Sequence, residues 1–352
     1  MKKIFFIILS LLVVQVVFAD ITIKGDARVR PRLDQVFDAE GKTVEDFYYM
    51  YWARIWLDAQ LTEGWYFSTK LASDGPGNFI GKFGDTPYDG NGGFTDGAAT
   101  HSGGRGVVRF AEMHFGRKTD KMGYSMGILP MSALGNPEYD LHFYPMSKSD
   151  VPYLIVNTAS AAGFRGYYNT EQGRLNVTLT VDDNTGNRLN DANPRDPYSL
   201  FADYKMKLGE LDINPTLIFT SAGEDMAAPI TAGANVGLPK VAGFSLSGGG
   251  YFTTQGVEAA GKYSGIMTHI KAARPLGPGT FVSWLDYKTI DTDWQDDNVN
   301  TALIWVMYKY VVYKSEIGSF YLAPTYRGIF QNTGNVEYIR NKFELTMHID
   351  FK

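Results

Sequence analysis

Residues 21–30 read ITIKGDARVR, with apolar or small side chains at the odd positions and polar or charged side chains at the even ones. Residues 53–61 (ARIWLDAQL), 175–181 (LNVTLTV) and 343–351 (FELTMHIDF) repeat this alternation. Successive side chains of a strand point to opposite faces, so each stretch predicts a strand with one apolar wall and one polar wall. A period of 3.6 residues is almost absent from the chain, which predicts an all-β fold.

The connections between the strand-like stretches fall into two length classes. Tight turns join some pairs, at residues 62–64, 119–121, 171–173 and 208–210, and long polar, Gly-rich stretches join others, at 73–106, 184–197 and 290–300. Short turns at one end of the strands and long loops at the other are typical of an outer-membrane barrel with periplasmic turns and external loops. We therefore predict a transmembrane antiparallel β-barrel of about sixteen strands of about ten residues each, and the chain length would also accommodate about fourteen or eighteen.

The first 19 residues have the composition of an export signal. Two lysines precede an apolar run over 4–18, and Ala19 ends it. This order predicts a cleaved signal peptide over 1–19. Residues 20–352 contain no linker and no shift in composition, so we expect one barrel domain in the outer membrane of a bacterium.

The composition excludes several classes of function. The chain has no Cys, which excludes a disulfide framework, a thiolate metal site and a cysteine nucleophile. Once Lys2 and Lys3 leave with the signal, 31 basic and 38 acidic residues remain, and this net charge of −7 argues against binding of nucleic acid. None of the five His forms a His-Glu-x-x-His motif, and neither a Gly-x-Ser-x-Gly elbow nor a P-loop occurs. We expect no catalytic site, and an outer-membrane barrel enzyme is the lesser alternative.

Three stretches resemble the general bacterial porins. Residues 109–116 (RFAEMHFG) are similar to the porin strand that enters the third hairpin, and residues 136–140 (NPEYD) resemble the Pro-Glu-aromatic segment of the third loop, which folds into the pore. Residues 163–169 (GFRGYYN) resemble the strand after that loop. The resemblance implies a homotrimeric, sixteen-stranded passive diffusion channel for small hydrophilic solutes and ions, without a cofactor, in which residues 131–152 form the constricting third loop.

Porins place basic residues on the barrel wall opposite acidic residues on this loop. The resemblance therefore implies that the acids of the constriction are Glu138, Asp140 and Asp150. The basic residues that share the inward parity of the first three strands are Arg28, Arg30, Arg32, Arg54 and Lys70. A charged side chain that faces lipid at the midplane costs about 2–4 kcal/mol, so the first-strand arginines are expected to face the lumen.

Two other observations leave the basic wall open to interpretation. The first-strand arginines could instead lie near the mouth and pair with neighbouring carboxylates at Asp26, Asp34 and Asp58. Residues 126–130 (MGILP) also lack the Arg that porins usually carry in this strand. That part of the basic wall is therefore either missing or supplied by another strand.

An aromatic track suggests a different solute. Trp52 and Trp56 share the inward parity of Arg54, and saccharide channels hold sugar rings on such tracks. A substrate-specific saccharide or anion channel is therefore the alternative to a general porin. Packing of these rings at the membrane interface is the simpler interpretation of the same residues.

The chain ends and loops predict further partners. The predicted external loops are acidic, and their carboxylates either hold Ca²⁺ or Mg²⁺ against lipopolysaccharide or are simply solvated. Residues 343–351 resemble the closing-strand signal that the barrel-assembly machinery reads, although Lys352 follows the terminal aromatic residue. Expected partners are thus membrane lipid, lipopolysaccharide and that machinery, and no nucleic acid.

Overall fold

The computed structural model describes most of the chain after the predicted signal peptide. The described residues are 20–37, 41, 43–73, 81–82, 108–131, 160–181, 197–221, 228–334 and 336–352. The predicted signal peptide (1–19) and most of the predicted constriction loop lie outside them. No helix within these ranges is long and apolar enough to cross a membrane.

Strands make up nearly all of the described chain. Their bounds are β1 (Asp20–Phe37), β2 (Thr43–Gln60), β3 (Trp65–Ala72), β4 (Gly81–Lys82), β5 (Arg109–Lys118), β6 (Met122–Pro130), β7 (Ser160–Asn169), β8 (Gly173–Val181), β9 (Tyr198–Leu208), β10 (Leu211–Ser221), β11 (Ile230–Gly237), β12 (Ser245–Gln255), β13 (Tyr263–Leu276), β14 (Gly279–Thr292), β15 (Val299–Lys314), β16 (Gly318–Thr333) and β17 (Val336–Phe351).

The strands form one closed antiparallel barrel of sixteen positions, which confirms the predicted fold class. Each strand pairs with its sequence neighbours, and β4 pairs with β2 beyond the end of β3, so β3 and β4 share one position. The barrel closes where β1 pairs with β17, from Gly25 opposite Phe351 to Phe37 opposite Ile339. Closure leaves no open strand edge. Such an edge would expose unpaired backbone N–H and C=O groups to lipid.

Turn length separates the two ends of the barrel at most connections. The exceptions are the two residues between β16 and β17 at the long-loop end and the seven residues between β11 and β12 at the short-turn end. The strands also differ from the prediction in three places. The short strand β4 lies inside the predicted loop 73–106, and strands β1 and β2 have 18 residues each rather than about ten. The predicted loop 290–300 shrinks to 293–298 because β14 and β15 extend into it. Hydroxyl side chains close several tight turns: Thr119 and Thr170 each accept a hydrogen bond from the backbone N–H three residues later, both at 3.0 Å.

The two faces of the sheet differ in polarity. Large apolar side chains that remain exposed alternate with buried polar ones along most strands, so the apolar face is the outer, lipid-facing wall. The inner wall of β8–β12 carries buried hydroxyls, which hydrogen-bond across strands at 3.0 Å between Ser199 and Thr220 and at 2.8 Å between Thr231 and Thr253. The polar interior is thus built from ladders of facing side chains.

The described chain after β6 ends at the inner wall of the barrel. Met131, the residue after β6, belongs to a buried cluster with Ala161, Phe201 and Ile218, which lie on the inner wall of β7, β9 and β10. The predicted third loop, 131–152, therefore begins at the inner wall. Its remaining residues lie outside the described part of the chain.

Candidate functional site: the charged inner wall

The candidate site is the inner wall formed by β16, β17, β1, β2 and β3. On β1, Arg28, Arg30 and Arg32 all lie on the inward parity that the sequence predicts, and Arg30 and Arg32 are buried. Their cross-strand partners on β17 follow from the closing register, in which Arg28 lies opposite His348 and Arg32 opposite Glu344. The closure of the barrel therefore decides which charges meet the first-strand arginines.

Glu344 is the centre of this wall. Arg30 approaches its carboxylate at 3.5 Å and Arg327, from β16, at 3.1 Å, and Arg32 forms the third ion pair. The carboxylate is fully buried. Arg30 also donates a hydrogen bond to Thr346 at 2.8 Å. One carboxylate of β17 thus binds three guanidinium groups, two from β1 and one from β16, the strands on either side of it.

A second carboxylate, Asp34, holds cations of β17. Both Nε and Nη2 of Arg340 contact it, at 2.8 and 2.7 Å, which is the bidentate geometry that favours Arg. Lys342 approaches at 3.6 Å, and the Tyr48 hydroxyl donates to it at 3.1 Å. Tyr48 also accepts from Arg32 at 3.1 Å and so links the two acids through one hydroxyl.

A third acid, Asp26, lies on the same wall, nearer the short-turn end of the barrel than Asp34. Arg54 of β2 binds it in a bidentate manner at 2.8 and 2.5 Å, and Nε2 of His348 lies 3.7 Å away. Arg28 donates to Nδ1 of that histidine at 2.5 Å.

The remaining predicted basic residue, Lys70, lies on β3. Its ammonium pairs with Glu112 of β5 at 3.2 Å. Two cations lie near the ring of Trp56, Arg54 at 4.8 Å and Lys70 at 5.9 Å from its centroid, and both are themselves paired with carboxylates. Trp52 lies opposite Arg28 in register, and its side chain is outside the described part of the structure.

The sequence also allows the first-strand arginines to pair with Asp26, Asp34 and Asp58, and the structure shows other partners for part of this set. Asp58 pairs with Lys24 at 3.1 Å. The salt bridges of Arg30 and Arg32 go to Glu344, which lies more than 300 residues away in the chain. The predicted loop acids Glu138, Asp140 and Asp150 lie outside the described residues.

A further basic residue, Arg165 of β7, lies beside the stretch 126–130 that lacks an Arg. Arg165 lies opposite Ser125 in register. Its Nη2 donates to the carbonyl of Pro130 at 2.8 Å, and its Nε donates to Thr178 at 3.0 Å. Whether Arg165 supplies the part of the basic wall that residues 126–130 lack stays a prediction.

The network carries an excess of positive charge within the described residues. Its eight cations are Arg28, Arg30, Arg32, Arg54, Lys70, Arg327, Arg340 and Lys342, and its four carboxylates are Asp26, Asp34, Glu112 and Glu344. Asp46 and Asp350 lie at its two ends, opposite Asp34 and Asp26 in register. Cations outnumber acids even when these two are included.

Sequence reasoning missed the members on β16 and β17. Residues 340, 342 and 344 are Arg, Lys and Glu at every second position, and only Glu344 lies within the alternating stretch 343–351. The signal was therefore present in the alternation itself. Arg327 has a weaker signal, because its neighbours in β16 are aromatic or small.

The described residues contain no group of three His, Cys, Asp or Glu side chains arranged to hold a metal ion. This includes the acidic stretch at 291–297, which belongs to one of the loops that the sequence offers as a Ca²⁺ or Mg²⁺ site. The acids of the loops at 73–106 and 182–196 lie outside the described residues.

The barrel is similar to solved bacterial outer-membrane channels. The trimer form of OmpT from Vibrio cholerae aligns with a TM-score of 0.56 at 9% identity, over 95% of this chain and 100% of that chain. The anion-selective porin from Comamonas acidovorans aligns with a TM-score of 0.57 at 12% identity, over 94% and 99%. The outer membrane channel DcaP of Acinetobacter baumannii gives 0.57 at 13% identity, over 95% and 98%. No protein-family model and no curated protein sequence matches the chain.

Proposed function

We propose that this chain is an outer-membrane diffusion channel for small hydrophilic solutes and ions, and that its lumen prefers anions. The observation that carries the proposal is the excess of cations in the inner-wall network, where eight basic side chains meet four carboxylates. Charged rings at close quarters set the selectivity of a water-filled pore. The fold supports the channel, since the similar structures are porins and outer-membrane channels.

Charge segregation supports the anion preference. The chain as a whole is acidic, with 38 acidic against 33 basic residues. Salt screens charges beyond about 8–10 Å at physiological ionic strength, so acids in loops farther than this from the basic wall act weakly on an ion that passes the wall. The Comamonas protein is described as anion-selective, which is consistent with a basic wall on this fold.

A saccharide channel is less well supported. A sugar ring needs an open aromatic face, whereas the Trp56 face carries Arg54 at 4.8 Å. We also propose a homotrimer, because one similar structure is described as a trimer form. The proposal includes export with removal of residues 1–19, and folding by the barrel-assembly machinery.

The test is the reversal potential of the refolded protein in a planar bilayer under a tenfold KCl gradient. The expected sign is that of chloride preference. Reversal of two wall charges, Arg28→Glu with Arg30→Glu, makes the network six cations against six acids and should move the potential toward the cation side.

The matched control makes the same change of charge at exposed turn positions. Lys207 and Lys314 flank turns at the short-turn end, both are exposed, and Lys207→Glu with Lys314→Glu should leave the potential unchanged. A cation-selective wild type, or equal shifts in both double variants, contradicts the anion preference. Protein that folds and inserts but carries no current contradicts the channel.

A further inference from the structure

Four consecutive strands bring two cations and two indoles into one row on the inner wall. Lys271 on β13 lies opposite Trp284 on β14, Trp284 opposite Trp305 on β15, and Trp305 opposite Arg327 on β16. The Lys271 ammonium lies 4.8 Å from the Trp284 ring, the two ring centroids are 4.5 Å apart, and the Arg327 guanidinium lies 3.8 Å from the Trp305 ring. The order is cation, ring, ring, cation.

The two ends of the row differ in how their charge is balanced. Arg327 pairs with Glu344 at 3.1 Å, so its charge is shared with the network. Lys271 has no carboxylate within ion-pair distance among the described residues, and its contact is with the face of Trp284. A cation held only by a ring quadrupole keeps its capacity to bind an anion.

The two rings differ in accessibility. Trp305 is 6% exposed, between Trp284 and Arg327, whereas Trp284 is half-buried. The Nε1–H of Trp305 is buried and has no acceptor in the described structure. Buried donors are normally satisfied, so the row lacks one hydrogen-bond acceptor and one negative charge. Trp305 therefore holds Trp284 in position, and Trp284 with Lys271 forms the accessible part.

We propose that Lys271 and Trp284, supported by Trp305, form a lumenal binding subsite for aromatic carboxylates. The carboxylate would pair with the Lys271 ammonium, and the planar body would contact the indole of Trp284. A small inorganic anion offers no ring contact, and a neutral sugar offers no charge to the lysine. The subsite rests on the proposed channel function. It narrows the anion preference of the channel to anions that have a planar apolar body.

Trp56 provides a comparison within the same lumen. It is also an inward-facing indole with a cation at 4.8 Å, but that cation, Arg54, is bound by Asp26, and the second, Lys70, is bound by Glu112. The two sites differ in that Lys271 is unneutralised. Trp56 should therefore bind aromatic carboxylates much more weakly than the row on β13–β16.

The experiment compares three probes that separate charge from ring contact: 2-naphthoate, 2-naphthol and acetate. In planar bilayers carrying KCl current, 2-naphthoate should block the wild type at far lower concentration than either other probe. Trp284→Leu and Lys271→Gln should each raise the half-blocking concentration about tenfold with the KCl conductance kept. Trp56→Leu is the matched control and should leave the half-blocking concentration unchanged.

Equilibrium dialysis of 2-naphthoate against the detergent-folded protein keeps the two proposals separable. Binding that Trp284→Leu and Lys271→Gln abolish supports the subsite even if the wild type carries no current. A wild type that conducts KCl but binds the three probes alike overturns the subsite and leaves the channel standing. Equal loss of binding in Trp284→Leu, Lys271→Gln and Trp56→Leu overturns the subsite as well, because such a loss would reflect a general change of the lumen.

Discussion

Glu344 lies among three guanidinium groups that would repel one another in its absence. Arg30 and Arg32 come from one neighbouring strand and Arg327 from the other, and the shared carboxylate is fully buried. A buried ion pair contributes little by comparison with apolar packing, but loss of one partner leaves an uncompensated charge. The central acid is therefore the residue at which the wall is most sensitive to substitution.

We predict that Glu344→Gln destabilises the folded barrel by about 3–5 kcal/mol, the cost of removing one partner from a buried ion pair. It should also increase the chloride preference, since it removes one of four network acids. Urea unfolding in lipid and the reversal potential measure the two effects. The control is Glu316→Gln, which changes an exposed acid in the turn between β15 and β16. Equal unfolding midpoints for both variants would contradict the central role of Glu344.

At the residue scale, the sequence predicts which wall a side chain faces better than it predicts which residue that side chain pairs with. The inward parity of Arg28, Arg30 and Arg32 follows from alternation and from the cost of charge in lipid. Their partner Glu344 does not, because the register between the first and last strands is set only when the barrel closes. Local periodicity contains no information about a pairing over more than 300 residues.

At the element scale, the hairpin of β5 and β6 depends on one glycine. Gly127 has a φ of 128°, which side chains of L-residues rarely adopt, and a Cβ there would lie 2.3 Å from the carbonyl oxygen of Met113 on β5. Gly127 lies within the stretch 126–130 where the chain departs from the porin pattern. The neighbouring strand β7 offers Gly166, where the nearest atom to an added Cβ is 3.9 Å away.

We predict that Gly127→Ala destabilises the barrel by about 1–3 kcal/mol, the cost of holding a non-glycine residue in that backbone region, and that the steric contact adds to this cost. Gly166→Ala should be close to neutral. The heat-induced mobility shift in gel electrophoresis, followed over a temperature series, measures the loss of the folded barrel. If the two variants unfold at the same temperature, the backbone of Gly127 is not a constraint.

Element lengths show where sequence reasoning fails. The predicted count of about sixteen strands agrees with the sixteen positions of the barrel, although chain length alone would also accommodate about fourteen or eighteen. Turn residues such as Thr119 mark the short-turn end. The strands near the closure are longer than expected, with 18 residues in β1 and in β2. Polar residues at the strand ends pair across the sheet, as Gln35 does with Glu45 at 3.0 Å, and composition alone assigns such residues to loops.

At the scale of the whole molecule, one parity faces lipid and the other faces the lumen around the whole barrel. On β14, Leu285 is exposed on the outer wall, opposite Ile270 of β13, whereas Val282 has the inward parity of Trp284. The two positions are only three residues apart, yet their environments differ in polarity. A slip of one residue in register would turn the outward side chains of a strand inward and the inward ones outward. The apolar outer wall therefore also fixes which charged side chains face the lumen.

We predict that Leu285→Arg destabilises the barrel in lipid by about 2–4 kcal/mol, because the guanidinium has no partner in hydrocarbon, whereas Val282→Arg costs much less. Val282→Arg should instead add to the chloride preference, since it adds a cation to the lumen. Unfolding in lipid vesicles and the reversal potential distinguish the two outcomes within one strand. An equal loss of stability in both variants would mean that the lumen excludes charge as strongly as lipid does, and the same result would contradict a water-filled passage lined by the basic wall.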